Sequence, residues 1–305
     1  MIEARGLTKL YGSKTALEDV SFDIRPGQVT GFLGPNGAGK STSMRLMLGL
    51  DRPTAGTVTI ARKNFTRSTA PLAEVGALLD AKGVHPGRSA RSHLRALAAT
   101  HRIPDSRVDA VLEQAGLTEV AHKRVGGFSL GMGQRLGIAA ALLGDPHTVI
   151  LDEPVNGLDP DGVLWVRRLL RQLASEGRTV LLSSHLMSEM AQTADHLIVL
   201  GKGKVVADAP IGELLASSHQ ASVTVGSPEA AKLVAILLDA STPGNAPHID
   251  SLGEYRFTVT GMSAATVGAC AANAGIALHE LTPVTATLED AYLAITRDVL
   301  EYETV

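Results

Sequence analysis

The residues Gly34-Pro35-Asn36-Gly37-Ala38-Gly39-Lys40-Ser41-Thr42 match the pattern G-x-x-x-x-G-K-[ST]. In this pattern a glycine-rich loop wraps the phosphates of a nucleotide. The glycines let the backbone turn successive N–H groups inward to form an anion-binding nest. We expect Lys40 to supply positive charge to the β- and γ-phosphates, and the Ser41 hydroxyl to ligate Mg²⁺.

The residues on either side of this loop support the match. Val29–Leu33 before it is an apolar run that predicts a buried strand, and residues 43–48 after it favour a helix. The N-terminus of such a helix points its dipole at phosphate. A glycine-rich turn that matches by chance is the alternative, and the strand-loop-helix setting argues against it. The sequence therefore predicts a site for a nucleoside triphosphate.

Two carboxylates follow a second apolar strand. Residues 148–151 end in Asp152-Glu153, and an α/β sheet places its chemistry at the carboxyl ends of its strands. Asp152 is a candidate to hold Mg²⁺ through water, and Glu153 is a candidate base for an attacking water. A surface Asp-Glu pair that closes a strand is the alternative. It is disfavoured here, because a phosphate loop needs a partner for its metal.

Four more residues, in three parts of the chain, are candidates for nucleotide contact. The segment 128–135 starts an apolar helical run, and Ser129 and Gly131 at its start leave backbone N–H groups unpaired, which predicts a second anion site. His185 follows the strand 179–184 and is a candidate γ-phosphate sensor. Tyr11 has an aromatic face for a nucleotide base. Taken alone, Tyr11 is better explained as a half-exposed tyrosine of a strand, and a single histidine at a strand end is uninformative.

Composition limits the class of protein. The 305 residues suggest one large or two ordinary domains, and an apolar fraction of 45% is ample for a packed core. The net charge of −3 gives no global reason to expect a nucleic-acid partner. The N-terminus lacks a signal pattern, and the apolar runs fall short of the roughly 18 residues that span a bilayer. We expect a soluble or peripheral protein.

Residues 82–102 carry positive charge without any acidic residue. The basic side chains are Lys82, Arg88, Arg91, Arg95 and Arg102. A solvated helix face is one interpretation. A basic surface for an acidic partner segment or for anionic lipid headgroups is the other.

Together, in this order, these motifs resemble the ATP-binding cassette (ABC) ATPases, over residues 2–209. The resemblance implies a P-loop NTPase cassette at 1–209. Such a cassette has a central, mostly parallel sheet, a β subdomain and a helical subdomain at about 71–127. It also implies that two cassettes pack head to tail as a homodimer and sandwich two ATP molecules with Mg²⁺.

The resemblance assigns a role to each matching residue. The residues implied to contact nucleotide are Tyr11, Gly34, Pro35, Asn36, Gly37, Ala38, Gly39, Lys40, Ser41, Thr42, Ser129 and Gly131. Those implied in catalysis are Lys40, Glu153 and His185, and those implied to hold the metal are Ser41, Asp80 and Asp152. Ser129 and Gly131 would contact the γ-phosphate of the ATP that the second cassette holds.

Two departures from the family pattern affect this comparison. The signature has Leu130 and Met132 where the family has glycine and glutamine, which suggests weaker contacts across the dimer. Asp80 stands where glutamine is usual, and it is shorter and lacks an N–H donor. Both variants resemble those of bacterial drug- and antibiotic-exporter cassettes.

Residues 210–305 lie beyond the cassette. Their pattern predicts the order β-α-β-β-α-β, a small α+β ferredoxin-like domain, followed by a helix that begins with a capping pattern at Thr287. The region resembles the C-terminal extension of single-cassette exporter ATPases, which implies dimer support or regulation.

The sequence thus favours an ATP-hydrolysing subunit that energises export, a homodimer docked on separate membrane permease subunits at the cytoplasmic face of the membrane. The alternative is a soluble cassette ATPase that acts on ribosomes or DNA. Such proteins usually carry tandem cassettes or a long coiled-coil insertion, and this sequence has neither. We therefore expect no nucleic-acid partner.

Overall fold

The computed structural model describes residues 1–80, 83–217, 222–240, 247–284 and 287–296. Contacts between residues divide the described chain into two compact units, residues 1–211 with 295–296, and residues 212–294. In the described ranges, every helix is too short or too polar to cross a bilayer.

The first unit alternates strands and helices. Its strands are β1 (Ile2–Tyr11), β2 (Lys14–Ile24), β3 (Val29–Leu33), β4 (Ala55–Ile60), β5 (Val75–Leu78), β6 (Thr148–Leu151), β7 (Thr179–Ser184), β8 (His196–Gly201) and β9 (Lys204–Pro210). Its helices are α1 (Lys40–Met47), α2 (Pro71–Glu74), α3 (Ala90–Thr100), α4 (Asp105–Gln114), α5 (Leu130–Leu142), α6 (Pro160–Ser175) and α7 (Met187–Thr193). Short 3₁₀ turns lie at Phe65–Arg67, Thr118–Val120 and Val125–Gly127.

The central sheet has the order β5-β6-β7-β3-β8-β9, in which only the edge strand β9 is antiparallel to its neighbour. Every residue of β3, β6 and β7 is buried, because helices cover both faces of a parallel sheet. These three strands are adjacent. Their carboxyl ends therefore bring the phosphate loop, Asp152-Glu153 and His185 to one edge of the sheet.

A second sheet, of order β2-β1-β4, is antiparallel and belongs to the same hydrophobic core as α1. Phe22 of β2 meets Phe32 of β3 edge-to-face, with ring centroids 5.3 Å apart. Met44 and Met47 of α1 are buried in this core. Packing in a core that is shared with both sheets thus fixes α1, the helix that follows the phosphate loop.

The region that we predicted to be helical from about residue 71 contains a strand of the main sheet. Val75–Leu78 forms β5, which pairs with β6, and the extended helical part comprises α3, α4 and α5. A short apolar run does not distinguish a buried strand from a buried helix. Gly76 lets this strand approach α5 closely, since a Cβ on it would lie 1.9 Å from the Ala141 carbonyl oxygen.

The second unit begins within α8 (Ile211–Ser217). Its elements are β10 (Ser222–Gly226), α9 (Ala230–Asp239), β11 (His248–Ser251), β12 (Arg256–Thr260), α10 (Ala264–Asn273), β13 (Glu280–Val284) and α11 (Leu288–Thr296). The antiparallel sheet has the order β11-β12-β10-β13. Alternate residues of β10 and β12, such as Val223 and Phe257, join Leu233 and Val267 from the two helices in one core.

Candidate nucleotide site

A cleft of about 300 Å³ opens at the edge of the sheet where the phosphate loop lies. Its lining residues come from β1, β2, the phosphate loop with the start of α1, and the end of β6. They are Tyr11, Lys14, Ala16, Asn36, Gly37, Gly39, Lys40, Ser41, Thr42, Asp152 and Glu153. The structure therefore gathers most of the predicted nucleotide residues around one cavity.

The phosphate loop takes a shape that requires glycine at two positions. Gly34 has φ 153° and Gly39 has φ 110°, and a Cβ would lie 2.3 Å from the Leu200 carbonyl oxygen at the first and 2.5 Å from Leu17 Cδ2 at the second. Gly39 is also the N-cap of α1, and no side chain caps this helix. Its first N–H groups therefore remain available to an anion.

Lys40 is 7% exposed, and its ammonium lies inside the loop. Nζ donates to the carbonyl oxygens of Gly34 at 2.6 Å and Pro35 at 3.2 Å. Burial lowers the pKa of Lys40, and the carboxylates of Glu153 and Asp152 act in the opposite direction. The cation thus lies between its own loop and the two acidic residues at the end of β6.

Ser41 and Asp152 form an oxygen pair in the cleft. Ser41 Oγ donates to Asp152 Oδ2 at 2.6 Å. A hydroxyl and a carboxylate are hard oxygen ligands of the kind that Mg²⁺ prefers, so the donor set fits this ion. Asp80 is exposed, and the described lining of the cleft does not include it.

Ser183 joins the two carboxylate residues, and our sequence analysis did not single it out. Its fully buried hydroxyl donates to Asp152 Oδ1 and accepts the Glu153 N–H at 3.0 Å. The sequence feature that could have identified Ser183 is its place as a polar residue near the carboxyl end of a largely apolar strand. Only the pairing of β7 with β6 shows that this residue faces Asp152.

Glu153 has φ 50°, in the left-handed region that costs free energy for a residue with a side chain. Its Oε2 lies 3.0 Å from Nδ1 of His185, which is half exposed. A carboxylate at this distance from an imidazole can orient it or exchange a proton with it. The structure thus pairs two residues that the sequence placed at the ends of different strands.

Tyr11 lines the cleft with 45% of its surface exposed. Its hydroxyl donates to Asp51 Oδ2 at 2.8 Å, and Arg45 Nε donates to the same oxygen at 2.7 Å. The hydrogen bonds from Arg45 and Tyr11 hold the pKa of Asp51 at about 2. Partial burial, and then the bond to Asp51, raise the pKa of Tyr11. No sequence motif marks Asp51 or Arg45, which fix the ring through its hydroxyl.

Ser129 and Gly131 do not belong to the described lining of this cleft. Ser129 is exposed and caps α5, since its Oγ accepts the Met132 N–H at 3.2 Å. The structure therefore brings these two residues together at the start of α5 and not beside the phosphate loop of the same chain.

The start of α5 packs against the loop after β6. Gly157 has φ 74°, and a Cβ on it would lie 2.2 Å from Cδ2 of Leu130. A Cβ on Gly131 would lie 3.0 Å from the Gly157 carbonyl oxygen. Leu130, which departs from the family pattern, thus lies in space that a side chain at position 157 would need.

The basic segment is partly neutralised within the helical part. Arg91 pairs with Asp109, and Arg95 pairs with Asp105 at 2.9 Å. Burial, and the positive charge of Arg88, lower the pKa of His93. Lys82 lies outside the described residues. These ion pairs favour a solvated helix face over a docking surface.

Comparison with known proteins identifies the class. A family profile described as "ABC transporter" matches residues 17–156, and one described as a domain of unknown function matches residues 221–289. The bacitracin transport ATP-binding protein BcrA of Bacillus licheniformis is 42% identical over 217 residues, 70% of this chain and 71% of its own. The lantibiotic transport ATP-binding protein SrtF of Streptococcus pyogenes is 35% identical over 206 residues, 68% of this chain and 89% of its own.

A solved structure shows the same fold. A dimeric ATP-binding cassette in a post-hydrolysis state, bound to ADP and Pi, has a TM-score of 0.64 and 26% identity. The match covers 69% of this chain and 99% of that cassette. The chain therefore belongs to the ATP-binding proteins of the ABC transporter family. It is an ABC ATPase, and its relatives include ATP-binding proteins of bacitracin and lantibiotic transport. The family and cassette fold predicted from the sequence are confirmed.

Proposed function

We propose that this chain is the ATP-hydrolysing subunit of an antibiotic-type exporter and acts as a homodimer on separate membrane-spanning subunits, at the cytoplasmic face of the membrane. The observation that carries the proposal is the cleft, in which Lys40, Ser41, Asp152 and Glu153 meet at one sheet edge. The bacitracin and lantibiotic transport proteins among its relatives support the class of cargo.

Each residue of the cleft has a task in the proposed hydrolysis. Lys40 and the uncapped N–H groups of α1 bind the phosphate charge of ATP. Ser41 and Asp152 would hold Mg²⁺, which neutralises charge on the phosphate oxygens when bound. Glu153 accepts the proton of the attacking water, and His185 orients its carboxylate from 3.0 Å.

The homodimer completes the site with residues from a second copy. Ser129 and Gly131 would reach the γ-phosphate only on a nucleotide that another chain holds, since they do not belong to the described lining of their own cleft. The dimeric cassette of similar fold supports this arrangement. Copurification from membranes with a protein of several spanning helices would support the permease partner, whereas recovery with ribosomes would contradict it.

Replacement of the base tests the proposal. Glu153→Gln keeps the size of the side chain but cannot accept a proton. ATP turnover should fall by about 10²-fold or more, and the Kd for ATP should stay within a factor of about two. Steady-state phosphate release and equilibrium binding of a fluorescent ATP analogue measure the two quantities.

Glu113→Gln provides the matched control, because Glu113 is exposed on α4. Its turnover should equal that of the unchanged chain. Hydrolysis at the unchanged rate in Glu153→Gln would remove Glu153 from the mechanism.

A further inference from the structure

Gln134 is a buried polar residue on a largely apolar helix. It lies in the second turn of α5 and is 5% exposed. Its Nε2 donates to the backbone carbonyl oxygen of Glu153 at 2.9 Å. A buried amide costs free energy unless it is hydrogen-bonded, so this contact explains how the side chain is tolerated there.

The bond from Gln134 is the side-chain part of a set of bonds that fixes the Glu153 backbone. On one side, the Glu153 N–H donates to Ser183 Oγ at 3.0 Å. On the other side, the carbonyl accepts from Gln134 Nε2 at 2.9 Å and from the Asn156 N–H at 3.2 Å. These bonds hold the peptide planes before and after Cα, and so both backbone dihedral angles of the residue. Its φ of 50° is unfavourable for a residue with a side chain, and such a conformation persists only where the surroundings impose it.

Packing alone does not require glutamine at this position. Leu136, Ile138 and Leu142 on the same helix are at most 3% exposed and fill the core without polar atoms. A methionine has nearly the volume of glutamine and would pack as well. What glutamine adds is the N–H donor, and the donor contacts Glu153.

We propose that Gln134 is a positioning residue for Glu153. Together with the Asn156 N–H, it holds the carbonyl of Glu153 and so sets the direction in which the carboxylate leaves the backbone, toward His185 and the attacking water. The inference rests on the proposed role of Glu153 as the base. It also means that α5, which begins directly after Ser129, is hydrogen-bonded to the base of its own chain.

Gln134→Met tests this role, because it keeps the volume and removes the donor. The kcat for ATP hydrolysis should fall by roughly 10- to 100-fold, since small displacements of a catalytic group cost factors of this size. KM for ATP and the Kd of a non-hydrolysable ATP analogue should stay within a factor of about two, because Gln134 does not belong to the described lining of the cleft. Gln134→Ala, which demands no space, repeats the test if the methionine variant does not fold.

Ile138→Ala is the matched control for lost helix packing. Ile138 is 1% exposed on the same helix, and its truncation should lower the Tm. The kcat, measured at a temperature below that of unfolding, should stay unchanged. Wild-type kcat in Gln134→Met would overturn the proposal, as would a loss of kcat no larger than in Ile138→Ala. A rise in KM that matched the fall in kcat would overturn it too.

The two proposals fail in different ways. If the unchanged chain hydrolyses ATP and Glu153→Gln stops it, a normal Gln134→Met enzyme overturns only the role of Gln134. If Glu153→Gln hydrolyses normally, both the base and its positioning residue are wrong.

Discussion

Asp51 fixes Tyr11 in the cleft, although Asp51 does not itself belong to the described lining of the cleft. Its Oδ2 accepts hydrogen bonds from the Tyr11 hydroxyl and from Arg45 Nε. Both donors favour the ionised carboxylate, and this is why the pKa of Asp51 falls to about 2. The position of the tyrosine ring therefore depends on a charge that no motif in the sequence marks.

This network predicts a pH dependence of stability. The pKa of Asp51 is about 2 in the folded chain and has an ordinary value of 3.8. Because the folded pKa is the lower one, the stabilising contribution is complete above the ordinary value and is lost as pH falls toward 2. Asp51→Asn has no charge to lose, so the difference in unfolding free energy between wild type and variant should shrink across this range. Urea titrations at a series of pH values measure it, and a difference independent of pH would exclude the network.

Single residues show where sequence-based prediction stops. Lys40, Ser41, Asp152 and Glu153 were found because short patterns around them have a physical meaning. Ser183 and Gln134 contact Glu153 from 30 and 19 residues away along the chain. The identity of such partners depends on which strands and helices are neighbours in the fold. A local sequence pattern does not contain this information.

At the scale of elements, the strands that build the site were predictable because they are buried on both faces. β3, β6 and β7 are short, largely apolar runs closed by a loop or a polar residue, which is the pattern of a parallel sheet. β5 was missed because it follows the helical turn α2 directly and has one β-branched residue in four, whereas β6, of the same length, has three. Its neighbour β6 contributes the pairing that makes it a strand.

The contact of β5 with α5 gives a prediction at this scale. In Gly76→Ala, the added Cβ would lie 1.9 Å from the Ala141 carbonyl oxygen, so strand and helix must separate. We expect a loss of about 1–3 kcal/mol in the free energy of unfolding. Gly133→Ala in α5 is the matched control, because nothing lies within 4 Å of its new Cβ. It should gain about 0.5–1 kcal/mol, since glycine weakens a helix interior.

Chemical denaturation of the two variants beside the unchanged chain measures both shifts. Equal effects from the two alanines would contradict the close approach of β5 to α5.

At the scale of the whole molecule, the proposed homodimer predicts a variant that folds but does not pair. Ser129 caps α5 and Ser89 caps α3, and each hydroxyl accepts a backbone N–H at 3.2 Å. Ser129→Ala and Ser89→Ala should therefore cost a similar free energy of unfolding, about 1 kcal/mol. Only Ser129→Ala should weaken ATP-driven pairing, by about tenfold or more, because only this serine would bind the γ-phosphate held by the second copy.

Light scattering with ATP, in a Glu153→Gln background that retains the nucleotide, compares the two variants. Equal pairing of Ser129→Ala and Ser89→Ala would argue against a nucleotide shared between two copies.

The packing of Leu130 on Gly157 constrains how this chain diverges through mutation. A side chain at position 157 would collide with Leu130 and would also have to adopt φ 74°. Substitution at 157 is therefore less costly in a lineage in which position 130 has already become small. Among descendants of a common ancestor, leucine at position 130 and glycine at position 157 should be inherited together. Glycine at 130 should precede any larger residue at 157.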